Sequence, residues 1–270
     1  MRIELHCHST CSDGAQAPAA VAAAATGRGI ALFALTDHDT CAGTSSCQVA
    51  DAHNLRAVEI SCSDQAGHTV HVLAFDTGGS WQQLDDTLVT IREHRKNRLR
   101  VMGAKLLTRG IKLDLEPLLA QAEHRAVGRP DLANAMVAAG VVTSAKEAFS
   151  RHLFDRGPID VPHQGFSVDQ AVAVARAAGA KLSLAHPHLY GERTLKLIAR
   201  HKAAGLDGIE AFYGRYDAAE RKRWTQIADS HGLVCTGGSD SHGEPEIARG
   251  VEIPDERYAA LCRWLGIAAA

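Results

Sequence analysis

Short apolar runs recur along the chain, and each carries His, Asp or Glu at or near its end. The first, Ile3 and Leu5, leads into His6-Cys7-His8, with Asp13 one short loop later. Ala31 to Leu35 runs into Thr36-Asp37-His38-Asp39, Leu55 to Ile60 carries Glu59, and the strand-like segment His68 to Phe75 holds His71. Leu182 to Ala185 runs into His186-Pro187, and Leu233 to Thr236 into Gly237-Gly238-Ser239-Asp240-Ser241-His242. In an extended strand, residues two apart share a face, so His6 and His8 converge while Cys7 points away. Helix-like stretches follow most of the runs, which predicts a β/α barrel whose strand ends gather at one face. Histidines placed only for packing would not keep returning to strand ends.

Between the strands, Pro18 suits a first helical turn, and the alanines from Ala19 to Ala25 favour helix until Gly27 and Gly29 stop it. A second helix is expected within Gly43 to His53. The turn-rich stretch Ser63-Asp64-Gln65-Ala66-Gly67 predicts a hairpin between the third and fourth strands, a departure from strict β/α alternation that fits a distorted barrel. The pattern is helical from Trp81. Residues 99–165 show helical periodicity without strand-end ligands, so they are expected to form a helical insertion that caps the barrel mouth. Gly128-Arg129-Pro130 puts an arginine just before a helix whose first position is Pro130, a predicted phosphate cradle. Barrel architecture resumes with Ser167 as a helix cap. Glu210 ends another strand and reads as a supporting carboxylate, and Asp37 as a partner of a ligand histidine. Gly237-Gly238 lets the chain turn closely under the site.

Taken together, His6-x-His8, Asp13, Thr36-Asp37-His38, Glu59, His71, His186 and Ser239-Asp240-Ser241-His242 resemble the PHP (polymerase and histidinol phosphatase) phosphoesterases. The resemblance covers residues 1–98 and 166–270 and presents nine candidate ligands in the family's order. It implies an α/β fold, a distorted seven-stranded (β/α)7 barrel of TIM-barrel-like type, around three divalent ions. In that scheme His6, His8, Glu59 and Asp240 hold one ion, and Glu59 bridges to a second held by His71 and His186. Asp13, His38 and His242 hold the third. Asp13 stands where some members have a third early histidine, which bears on metal preference. Asp131 stands where relatives often carry histidine, which bears on substrate selectivity. The donors are imidazole and carboxylate without thiolate, a set that suits Mn2+ first, with Zn2+ or Fe2+ as alternatives.

Composition narrows the class. Length 270, 46% hydrophobic residues and 22% charged residues describe an ordinary globular chain, one large domain or one domain with an insertion. The net charge of −2 excludes a whole-surface polyanion binder. Against that balance, Arg92, Arg95, Lys96, Arg98, Arg100, Lys105, Arg109 and Lys112 face Glu93 alone between residues 92 and 112, a run expected to attract phosphate. Seven cysteines, unevenly spaced and without a C-x-x-C pair, point to reduced thiols and a cytoplasmic location. The chain enters its first strand at once, which leaves no room for a signal peptide, and Ala19 to Ala25 is too short to span a bilayer, so no membrane association is expected.

The expected partner is a small anionic phosphate ester, a nucleotide, with short single-stranded RNA as a further substrate. Three divalent ions outweigh three carboxylates and favour such anions. The resemblance is to the branch that removes the 3′-phosphate from nucleoside 3′,5′-bisphosphates, through attack by a metal-bridging hydroxide. Histidinol phosphate is the runner-up substrate, and a degenerate metal- or nucleotide-binding module is the non-enzymatic alternative. Degenerate copies drop ligands, whereas all nine stand in this chain. Arg129 and Asp240 are the candidate catalytic residues; Arg129, Arg98 and Asn134 are the candidate substrate contacts.

Overall fold

The structure is a computed structural model, and it describes all residues except 123–124, 155, 162–165, 244–248 and 269–270. The end of the predicted insertion therefore lies outside the described residues. Strands β1 (Arg2–Glu4) and β2 (Ile30–Leu35) are joined by α1 (Pro18–Ala25), which has Pro18 in its first turn and stops before Gly27 at φ +77°. On β2, Leu32 and Ala34 face the main core, while Phe33 and Leu35 pack under Val21, Ala22 and Ala25 of α1. That period of two sets the strand's two faces.

The expected helix within Gly43 to His53 is only a short turn, Thr44–Ser46, in which the Ser46 hydroxyl donates to the Gly43 carbonyl. Ser and Thr side chains compete in this way for the backbone groups a longer helix would need. Strands β3 (His53–Ser63) and β4 (Thr69–Phe75) form the predicted hairpin, closed by Asp64 N–H donating to His68 O and by Gly67 at φ +78°. Helix α2 (Gln82–Leu107) follows. Its first half buries Leu84, Leu88 and Ile91 in the main core, and its second half buries Leu99, Met102 and Leu106 in a separate cluster. At 26 residues it is roughly 39 Å long, enough to tie the two clusters together. The second cluster is completed by α3 (Glu116–Gln121), α4 (Arg129–Ala138) and α5 (Ala145–Arg151).

After the two-residue strand β5 (Phe166–Ser167), α6 (Val168–Ala177) starts at a capping box in which Ser167 and Gln170 satisfy each other's backbone N–H groups. Then come β6 (Lys181–Leu184), α7 (Arg193–His201), β7 (Leu206–Tyr213), α8 (Ala218–His231), β8 (Val234–Gly238), β9 (Val251–Glu252) and α9 (Asp255–Leu265). The sheet runs β8-β7-β6-β4-β3-β2-β1-β9, with β5 beside β3. Strand β4 is antiparallel to both its neighbours, and β9 is antiparallel to β1. The strand count exceeds the expected seven because β5 and β9 add two-residue pairings. No helix among the described residues is long and apolar enough to cross a membrane.

The sheet curls until its ends meet. Leu5 N–H donates to Gly237 O (3.1 Å), Asp240 N–H to His6 O (2.7 Å) and His8 N–H to Ser241 O (2.9 Å). This seam joins β1 to β8 and carries four of the nine predicted ligands within two residues on either side. It closes because Gly238, in the strand itself, has no side chain: a Cβ there would sit 2.4 Å from His6 N and 2.5 Å from His6 Cβ. Backbone at that distance cannot move aside cheaply. Gly238→Ala is therefore expected to lower unfolding stability by about 1–3 kcal/mol, read as a shifted urea midpoint. An unchanged midpoint would show that the seam is looser than its hydrogen bonds suggest.

Candidate metal centre

All nine predicted ligands meet at one rim of the barrel. His6 and His8 leave the end of β1, His38 follows β2, Glu59 lies in β3, His186 follows β6, and Asp240 and His242 follow β8. His71 is the third residue of β4, not a residue near its end; the antiparallel direction of β4 brings its beginning to the rim where the parallel strands finish. His38 and Glu59 are bridged through the backbone, with Asp39 N–H donating to Glu59 O at 3.0 Å. His186 at φ +27° and Asp240 at φ +52° take up strained backbone conformations to turn inward.

Glu59 stands at the middle, 1% exposed. Its Oε2 lies 3.3 Å from His6 Nε2, 3.3 Å from His8 Nε2 and 3.0 Å from His38 Nδ1; its Oε1 lies 3.0 Å from both His71 Nδ1 and His186 Nε2. Asp240 Oδ1 approaches His6 Nε2 at 3.3 Å and His8 Nε2 at 3.2 Å. Asp13 faces His38 at 3.6 Å and His242 at 3.4 Å. Despite these distances, His6 Nε2, His8 Nε2, His38 Nδ1 and Glu59 Oε2 are buried without a hydrogen bond, because their lone pairs converge on shared points and not along donor–acceptor lines. Each such atom left unsatisfied costs about 1–3 kcal/mol. Divalent ions with bonds of about 2.0–2.2 Å set neighbouring ligands roughly 3.0–3.5 Å apart, the spacing seen in this cluster. The donor set fits a group of divalent metal ions.

Proximity divides the donors into four overlapping groups: His8-Asp13-His38-His242, His6-His8-Asp240, His6-Glu59-His186 and His38-Glu59-His71. His6, His8, His38 and Glu59 each belong to two of them. The family scheme assigns only Glu59 to two ions; proximity alone also places His6, His8 and His38 in two groups each.

Supporting groups aim the ligands. His6 Nδ1 donates to Glu210 Oε1 (2.9 Å), which keeps the Nε2 lone pair turned into the cluster, and Glu210 Oε2 accepts the His186 backbone N–H (2.7 Å). Glu210 is thus the supporting carboxylate anticipated from its strand end. His242 Nδ1 donates to Asp240 O at 3.0 Å and leaves Nε2 toward Asp13. Burial pulls the His242 imidazole down, but the hydrogen bond and charge of Asp13 outweigh it and lift the group to about 9. Burial raises the Glu59 carboxyl, yet His38, His71 and His6 hold it well below the usual carboxylate range. Tyr213 donates to Asp240 Oδ2 (2.7 Å), so Oδ1 alone faces the histidines.

Two supporting carboxylates depart from the sequence reading. Asp37 does not hold a histidine; it accepts from Ser9 N–H (2.7 Å), Ser9 Oγ (2.6 Å) and Ser12 Oγ (2.6 Å) and so fixes the loop leading to Asp13. Three nearer donors satisfy its oxygens. Glu4 was not anticipated. Fully buried, it accepts from Ser239 N–H and Oγ, Gly250 N–H and His6 N–H, and binds the seam under the site. Its sequence signal was an acid between Ile3 and Leu5 in an apolar strand.

Above the cluster lies a cavity of about 230 Å³ lined by Asp13, His38, His71, Arg95, Arg98 and Arg129, and beside it one of about 340 Å³ reaching His71 and His186. Arg129 and Arg98 line both; Asn134 is exposed on α4 and lines neither. The basic run on α2 is not the open field its composition implied. Arg92 donates to Asp39 O, Arg95 pairs with Asp39 Oδ2 (2.6 Å), and Lys105 donates to Asp160 O. Arg98 pairs with Asp160 at 3.2 Å, and burial with the neighbouring Arg129 charge brings its guanidinium down to about 10. The predicted cradle at the start of α4 is already engaged, since Asp131 Oδ2 accepts Gly128 N–H at 2.7 Å. A carboxylate in that place repels a second anion.

The helical cluster grips the ligand loop. Arg125 donates from Nη1 to Ser12 O (2.6 Å) and pairs through Nη2 with Asp131 (2.5 Å), while Ala126 N–H donates to Cys11 O (3.0 Å). Losing a group that orients a ligand typically weakens a metal site about 10–100-fold. Arg125→Ala is expected to weaken binding of the ion nearest Asp13 by at least about tenfold in a manganese titration. Unchanged affinity at every site would separate the helical cluster from the ligand loop.

No family model matches the chain. The 3′,5′-nucleoside bisphosphate phosphatase of Chromobacterium violaceum is 35% identical over 97% of this chain and 94% of its own length. A 5′-3′ exoribonuclease of Haemophilus influenzae is 30% identical over 94% of this chain and 96% of its own. The crystal structure of a protein from Bifidobacterium adolescentis, described as a metal-dependent phosphoesterase, superposes with a TM-score of 0.82 at 29% identity, covering 96% of this chain and 95% of that one. With near-complete coverage of these relatives and the ligand cluster assembled, the chain belongs to the PHP family of metal-dependent phosphoesterases, on the branch of the nucleoside bisphosphate phosphatases.

Proposed function

We propose that the protein removes the 3′-phosphate from nucleoside 3′,5′-bisphosphates, converting adenosine 3′,5′-bisphosphate to the 5′-monophosphate, and acts from 5′ to 3′ on short RNA. The observation that carries this reading is the four buried, unpartnered ligand atoms lying under an arginine-lined cavity. The relatives named for bisphosphate hydrolysis and for RNA degradation support it. In this reading the nine donors hold three divalent ions, manganese first and zinc or iron as alternatives. Such ions supply positive charge to the phosphoryl oxygens and make a nucleophile from water at neutral pH.

The chain's own groups do the rest. Glu59 and Asp240 set the spacing of the cluster, and Glu210 and Tyr213 hold two of its members in orientation. Arg129 and Arg98, on the wall shared by both cavities, receive the second phosphate and orient the scissile one. Arg129 donates to Leu153 O (3.3 Å) and lies over the Phe149 ring, so its guanidinium is held at the cavity edge. Residues 99–165 are read as a cap over a barrel formed by 1–98 and 166–270, with the cap contributing Arg129 and excluding water. Histidinol phosphate offers one phosphate and an amine, which the guanidiniums of Arg98, Arg129 and Arg156 repel.

Losing one charge-assisted contact costs about 1.5–3 kcal/mol. Arg129→Ala is therefore expected to lower kcat/KM for adenosine 3′,5′-bisphosphate about 10–100-fold, and for adenosine 3′-monophosphate far less. Equal losses on both would remove Arg129 from the 5′-phosphate site, and faster turnover of histidinol phosphate than of the bisphosphate would overturn the reading.

A further inference from the structure

A second basic hollow lies beyond the one over the metal centre. The 340 Å³ cavity at His71 and His186 and a hollow of about 220 Å³ against α7 share the residues Ala66 and Arg193 in their walls. The outer hollow is bordered by Lys196 and Arg200, both exposed, and by Asp64 as the one carboxylate among its described residues. Asp64 is already engaged by Arg193 at 2.7 Å, and Arg200 reaches Asp169 across exposed surface at 2.8 Å. At the wall of the inner cavity stands Leu189, 59% exposed, an apolar side chain among arginines. A nucleoside bisphosphate uses the ligand cluster and the Arg98–Arg129 wall and has no third phosphate for α7. A single strand has a phosphate on every nucleotide and a base between phosphates, and basic grooves with interleaved apolar contacts track such strands.

We propose that the hollow against α7 is a subsite for the downstream phosphodiester of a single-stranded oligonucleotide, with Lys196 and Arg200 contacting its phosphates and Leu189 the base before it. This rests on the proposed function: the first linkage lies at the ligand cluster, the 5′-phosphate lies at Arg129, and the rest of the strand leaves over Arg193. The subsite makes the protein choose between two lengths of the same chemistry. Mononucleotides are held by the inner cavity alone, and oligonucleotides by both.

The test compares wild type with Lys196→Glu/Arg200→Glu on adenosine 3′,5′-bisphosphate and on 5′-phosphorylated penta-adenylate carrying a 3′ fluorophore. Binding of the pentamer is measured by anisotropy in EDTA, independently of metal loading. The double variant is expected to bind the pentamer at least about tenfold more weakly, with a log affinity–log salt slope shallower by about 1.4 for two lost contacts. Its kcat/KM for the pentamer falls in step, while that for the bisphosphate stays within about twofold of wild type. Unchanged pentamer affinity, or equal losses on both substrates, overturns the subsite. A wild type that hydrolyses the bisphosphate but neither binds nor cleaves the pentamer also overturns it and leaves the bisphosphatase reading standing. A wild type inactive on both sinks that reading and this one together.

Discussion

One buried carboxylate organises this molecule. Glu59 meets five imidazoles at 3.0–3.3 Å from inside the barrel wall, and those histidines come from three separate strand ends and one antiparallel strand. An anion so deeply buried is unfavourable alone and is held ionised by the imidazoles around it. The imidazoles in turn leave lone pairs directed at common points that the chain itself does not fill. Barrel closure serves that arrangement, since the β1–β8 seam sets His6 and His8 against Asp240 and Gly238 lets the strands approach. The carboxylates of Glu4 and Glu210 lock the seam and the imidazole of His6 from beneath.

The helical cluster is tied to the same centre by hydrogen bonds at the rim. Arg95 spans Asp39, Ser61 and Val127, and Arg125 spans Ser12 and Asp131. These two guanidiniums reach the loops carrying His38 and Asp13. Arg129 of the cavity wall and Arg125, which holds the ligand loop, therefore sit on the same helical segment, and removal of residues 99–165 would free the loop of Asp13 by taking away Arg125. A clean separation of metal binding from substrate binding by truncation does not follow from this packing.

Much of this was legible in the sequence because strand ends carry information that strand interiors do not. Polar residues closing an apolar run have no packing reason to be histidine, so His6, His8, His38, His186 and His242 stood out, and the structure gathers all five. The hairpin after Ser63 was legible for a similar reason, since Asp64 and Gly67 are turn residues by mechanism. Pairing in space was not legible. The basic run on α2 reads as a free field until Asp39 and Asp160 are seen to take up its charges, and Asp131 reads as a replaced histidine until its oxygen is found on Gly128 N–H. Glu4 was missed because one acid within a strand looks like a solvent-facing position, whereas barrel closure buries both of its faces.

The most direct test is a count of the ions held by the purified, full-length protein after manganese loading and gel filtration, by elemental analysis beside a Glu59→Gln control. Four overlapping donor groups, two of which share Glu59, predict at least two divalent ions per chain in the wild type, and fewer in the control. Fewer than two in the wild type, or no difference between the two proteins, would contradict a multinuclear centre organised by Glu59.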